Sequence, residues 1–142
     1  MTNAFKYLTS VLFAAVVVQV ALAGYGVFYA LHKAHDGGSA TEHTFDHGFT
    51  AHAILGTAIV VVMILLVLVA LAGRLGSTAV KFSAGLLVAG ILQMVFAAIG
   101  RSVPALGFLH LVNALAIYAA AALLAHRAWT RGIGPGTPAT AA

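Results

Sequence analysis

Seven histidines stand against three acidic residues and no cysteine in this chain of 142 residues. Imidazole combines a lone pair that can bind a metal with a proton that exchanges near neutral pH. The histidines fall into three groups. His52 and His110 lie inside long apolar runs. His32, His35, His43 and His47 share a polar stretch with all three acids, Asp36, Glu42 and Asp46. His126 stands beside Arg127.

A histidine within an apolar span is costly and usually faces the interior of a bundle. At about 1.5 Å per helical residue, His52 lies roughly 5 Å and His110 roughly 10 Å inside the same end of their runs. Two imidazoles at similar depth on facing helices suit the axial positions of a haem iron. His126 lies roughly 24 Å along the helix from His110 and has no histidine at its own depth. It reads as an interfacial residue. Gly56, one turn from His52, and Gly107, one turn from His110, leave room for a flat macrocycle or for close helix contact. Arg101 and Lys33 stand near the same end, where they could pair with propionates or with lipid headgroups. Gln93, Asn113 and Gln19 could hydrogen-bond a ligand imidazole or each other. A second site is conceivable in the polar stretch, where His35, His43, Asp46 and His47 supply nitrogen and oxygen donors for zinc or copper. His47 is also an alternative to His52 as the ligand from that helix.

The elements that must position these residues follow from hydropathy. The chain is 62% hydrophobic and 7% charged. A soluble domain carries about a quarter charged residues, so lipid is the expected solvent. Four apolar runs, 7–31, 49–73, 80–100 and 103–124, each reach the roughly 20 residues of a spanning helix. The expected fold is all-α, a four-transmembrane-helix bundle over residues 1–131 with a disordered cytoplasmic tail over 132–142. Pro104 suits the first turn of the fourth helix. Lys6 before an apolar stretch and Ala21-Leu22-Ala23 imitate a secretory signal, but the run continues to Leu31, so the helix is expected to be retained. Gln19 precedes Gly26 by seven residues, as Gln93 precedes Gly100. Each such helix is followed by one bearing a histidine, which reads as two tandem helical hairpins.

Lys6, Arg74, Lys81, Arg127 and Arg131 fall on one side and Lys33 and Arg101 on the other. This asymmetry places both termini in the cytoplasm and the loop 32–48 outside an integral plasma-membrane protein. The basic residues are scattered, as topology signals are, which argues against nucleic-acid binding. The absence of cysteine excludes disulfides and thiolate chemistry. A hydrolase lacks its Ser–His–Asp spacing, and a transporter lacks intramembrane acids.

The segments Gly90-Ile91-Leu92-Gln93-Met94, Val103-Pro104, Gly107-Phe108-Leu109-His110-Leu111-Val112-Asn113-Ala114 and Leu124-Ala125-His126-Arg127-Ala128 resemble the second hairpin of a haem A synthase half. The chain looks closer still to small four-helix membrane proteins of actinobacteria, whose family name implies no activity. The synthase resemblance implies a haem held by the second-helix and fourth-helix histidines, here His52 and His110. The family's halves carry a Glu three residues before the second-helix histidine and an Arg after it. Phe49 and Ala53 stand there instead, so haem binding carries over and oxidation of a haem methyl does not. The expected function is a bis-histidine haem b protein, not an enzyme, in electron transfer or haem handling near the outer face. A quinone or redox protein would be its partner, as a homo-oligomer or within a respiratory complex. The alternatives are an accessory subunit without cofactor and a metal-binding outer loop.

Overall fold

The computed structural model describes residues 1–130. The expected tail at 132–142, and Arg131, lie outside the described residues. Four helices follow in order: α1 (Thr2–His35), α2 (Glu42–Ala72), α3 (Ser77–Ser102) and α4 (Pro104–Thr130). All four are long and apolar enough to cross a membrane, and the chain is an all-α four-helix bundle of an integral membrane protein. In lipid the backbone must satisfy itself, and helices do this within each segment.

Every helix is longer than its apolar run. Hydropathy marks the stretch that matches the hydrocarbon, whereas helical hydrogen bonds continue into the polar flanks. The shortest helix, of 26 residues, is about 39 Å long against a hydrocarbon core of about 30 Å. The expected loop 32–48 is therefore shortened to 36–41. His32 and His35 belong to the last turn of α1, and His43, Asp46 and His47 to the first turns of α2. Thr41 caps α2, its side chain accepting from the Thr44 N–H at 3.3 Å. Between α2 and α3 the chain turns through Arg74 at φ 49° and Gly76 at φ 91°. Val103 alone separates α3 from α4, with Pro104 opening α4 as expected.

Each helix packs on its sequence neighbours, and α4 closes on α1. The pairs α1/α3 and α2/α4 therefore stand across the diagonals. The end bearing Thr2 and Thr130 is called proximal here, and the end bearing the 36–41 loop distal. The proximal half is tightly packed around Phe5, Leu12, Met63, Leu66, Leu86 and Leu124. The distal half is not: between Ile91 and Ala116 no residue is fully buried, and between Val17 and Ala58 only Gly26, Ala30 and Gly48 are.

Close approach within each hairpin replaces bulk packing at the distal end. A Cβ at Gly100 would lie 2.8 Å from the Cα of Gly107, so α3 and α4 touch backbone to backbone there. In the first hairpin, the ring of Phe49 occupies the space of the missing Gly26 side chain, at 2.7 Å. By contrast, Gly24 has nothing within 4 Å. Gly100→Ala is expected to force the second hairpin apart and destabilise the fold by about 1–3 kcal/mol. Gly24→Ala should be neutral or slightly stabilising in the same thermal unfolding measurement in detergent.

Candidate functional site

An amide or imidazole in an apolar helix finds no water and must bond within the bundle. Gln19 of α1 and His52 of α2 meet this need reciprocally. The Gln19 side-chain Nε2 donates to the His52 carbonyl at 2.8 Å, and the His52 ring Nδ1 bonds the Gln19 carbonyl at 3.1 Å. The second hairpin repeats the pattern atom for atom. Gln93 Nε2 donates to the His110 carbonyl at 2.9 Å, and His110 Nδ1 bonds the Gln93 carbonyl at 3.0 Å. The two-hairpin repeat read from Gln19/Gly26 and Gln93/Gly100 thus appears as two equivalent clips. The sequence left the glutamine side chains to bond either the imidazoles or each other, and Asn113 does bond Gln93. The imidazole, however, is taken by the glutamine carbonyl, and the side chain takes the histidine carbonyl.

The clips determine the tautomer. A carbonyl oxygen only accepts, so Nδ1 of each ring carries a proton, and in the neutral imidazole the lone pair is then on Nε2. Because α2 and α4 face each other across the diagonal, the two rings come together. Their centroids lie 6.4 Å apart, with planes inclined by 56°. Both histidines are half-buried. A metal ion bonds imidazole nitrogen at about 2 Å, so two such ligands on opposite sides of one ion have ring centres roughly 6 Å apart. The ring-centre spacing of 6.4 Å is close to that value, and a carbonyl-bonded Nδ1 is the usual outer partner of a metal-bound histidine.

The two clips are unequal. Asn113 donates to Gln93 Oε1 at 2.7 Å and to the Ala89 carbonyl at 2.9 Å, which fixes the second clip. The corresponding position in α2 is Leu55, and Gln19 Oε1 is buried without a partner. The glycines expected beside the ligands have packing roles. A Cβ at Gly56 would sit 3.0 Å from Gln19 Nε2, so Gly56 makes way for the first clip. Gly107 serves the contact with Gly100.

The remaining candidates are arranged around the distal rim. Arg101 Nη2 bonds Asp46 Oδ1 at 3.0 Å, joining the end of α3 to the first turns of α2. Both partners are exposed, so this pair contributes little to stability. Lys33 Nζ lies 5.8 Å from the Tyr29 ring centre. His47 is exposed and rests on Tyr29, with ring centroids 5.4 Å apart. It is the ring of His52, rather than His47, that is brought to His110. His32 pairs at 3.2 Å with Asp36, the residue just past the end of its helix. Among the described residues no group of three His, Cys, Asp or Glu side chains could hold a metal, so the rim does not assemble His35, His43, Asp46 and His47 into a site. His126 lies at the proximal end, exposed.

One contact escaped the sequence reading. The Phe49 ring meets the His52 ring edge-on, with centroids 5.8 Å apart. The i, i+3 spacing of Phe49 and His52 was the available signal. An aromatic ring there supplies neither acid nor base beside the imidazole. No protein-family model matches the chain, and no curated protein or solved structure shows significant similarity to it.

The clips carry unequal loads, which yields a prediction. Gln93→Leu removes a donor to His110 and an acceptor for Asn113, whereas Gln19→Leu removes one hydrogen bond and an orphaned oxygen. Interhelical bonds of this kind contribute about 0.6–2 kcal/mol each. Gln93→Leu should therefore lower the thermal midpoint in detergent clearly more than Gln19→Leu.

Proposed function

We propose that this protein binds one haem b between α2 and α4, where His52 and His110 would hold the iron. The observation that carries this reading is the pair of facing imidazoles, 6.4 Å apart, each with its Nδ1–H bonded to a carbonyl. The sparse packing of the distal half around them supports it as well. So does the likeness of residues 90–128 to the second hairpin of a haem A synthase half.

Bound haem would supply a one-electron couple, and two histidine ligands leave no open iron position for oxygen chemistry. The residues of the chain have separable tasks. Each clip holds its imidazole in one orientation and one tautomer, which limits rearrangement when charge changes nearby. Asn113 stiffens the clip of His110. Gly56 admits the Gln19 side chain. Phe49 shields one edge of His52. No carboxylate stands at the histidine pair, since Asp36, Glu42 and Asp46 are confined to the distal rim. This favours electron transfer or haem handling over an enzymatic reaction on the haem.

The orientation is inferred from charge. Lys6, Arg74, Lys81 and Arg127 belong to the proximal end and Lys33 and Arg101 to the distal end, which assigns the proximal end to the cytoplasm of a plasma-membrane protein. The histidine pair then lies toward the outer face, within reach of a quinone or a redox protein there. A reading without cofactor, as an accessory subunit of a respiratory or other membrane complex, draws on one observation. Each clip joins the two helices of its hairpin by two hydrogen bonds, which serves helix–helix contact without any cofactor.

A reduced-minus-oxidised visible spectrum of the purified protein, with a pyridine haemochrome assay, separates the two readings. A sharp low-spin b-type spectrum near one haem per chain is expected. His52→Ala and His110→Ala should each lose it, while His126→Ala keeps it. A protein that stays colourless after incubation with haem belongs to the accessory reading.

A further inference from the structure

Away from the histidines, a groove of about 370 Å³ opens on the outer surface between α3 and α4. Its floor is made of small or apolar side chains, Gly85, Ala89, Ala116, Ile117 and Ala120. Lys81 and Phe82 form its proximal end. The Arg127 guanidinium lies 4.9 Å from the centre of the Phe82 ring, which brings a second cation to the same end. The eight helical rises from Lys81 to Ala89 give the groove a length of about 12 Å along the helix. All three acidic side chains of the chain belong to the distal rim, so none is near enough to neutralise this pair of cations.

We propose that this groove binds an anionic phospholipid, with the phosphate held by Lys81 and Arg127 and an acyl chain lying over Gly85, Ala89, Ala116 and Ala120. Three features select this occupant. The groove faces the hydrocarbon, where an acyl chain is the available apolar filler. Its two cations stand at only one end, at the depth of a headgroup. The excess of cations over carboxylates there selects a net negative headgroup over a zwitterionic one. The site is independent of haem, since the groove lies on the lipid side of α3 and α4 and the histidine pair between α2 and α4.

Gly85 offers a clean test. A Cβ there meets nothing within 4 Å, so Gly85→Leu fills the groove without disturbing the bundle. The full chain in detergent is mixed with phosphatidylglycerol or phosphatidylcholine of the same acyl composition, and retained lipid is counted by native mass spectrometry. Wild type is expected to retain one phosphatidylglycerol in preference to phosphatidylcholine. Gly85→Leu should lose retention of both. Lys81→Gln/Arg127→Gln should weaken phosphatidylglycerol retention roughly thirtyfold, at about 1 kcal/mol per cation. Millimolar inorganic phosphate should leave the lipid in place. Equal retention of the two lipids, unchanged retention in Gly85→Leu, or displacement by phosphate alone would overturn the proposal.

Discussion

Polar atoms in a lipid-facing helix have no solvent to fall back on, and in this protein they settle the geometry of everything near them. Gln19 and His52, and likewise Gln93 and His110, each exchange two hydrogen bonds across a hairpin. Such a clip works at only one register. A shift of one residue along either helix would turn the partners away from each other and leave the amide and the imidazole of that clip unsatisfied in hydrocarbon, each at a cost of several kcal/mol. The level and rotation of both imidazoles are therefore consequences of backbone chemistry, and their facing position follows once α2 and α4 occupy a diagonal.

The division of the bundle into two halves follows from a different principle. Among lipid tails the hydrophobic effect does not draw helices together, so association rests on shape and hydrogen bonds. The proximal half uses shape: Phe5, Leu12, Met63 and Leu66 interlock with no exposed surface. The distal half uses glycine contacts, the clips and the Arg101–Asp46 pair, and buries few residues fully.

Duplication with divergence describes the site well. The same clip occurs twice, but Asn113 completes one copy and Leu55 leaves the other with an orphaned Gln19 oxygen. Gly56 and Ala114 likewise differ one turn beyond the histidines. The second hairpin is consequently the better-determined half of the site. The first is joined by a longer connection and carries the histidine-rich rim, where His32 pairs with Asp36, His47 stacks on Tyr29 and Asp46 takes Arg101 instead of converging.

By itself, the sequence determined the solvent, the number of spans, the start of α4 at Pro104, the repeat of glutamine, glycine and histidine, and the pair His52 and His110 as the residues at comparable depth. These are properties of composition and spacing along one chain, and hydropathy and helical rise carry them directly. Tertiary structure alone decided which atoms of Gln19 and Gln93 meet the imidazoles, that Asp46 takes Arg101, that Gly56 and Gly107 serve helix contact, and that the histidines of the rim stay apart. Those outcomes depend on the rotation of each helix about its axis and on how closely its neighbour approaches. Both are fixed by contacts between residues distant in the chain, such as Gly100 against Gly107 and Phe49 over Gly26, which no local pattern encodes.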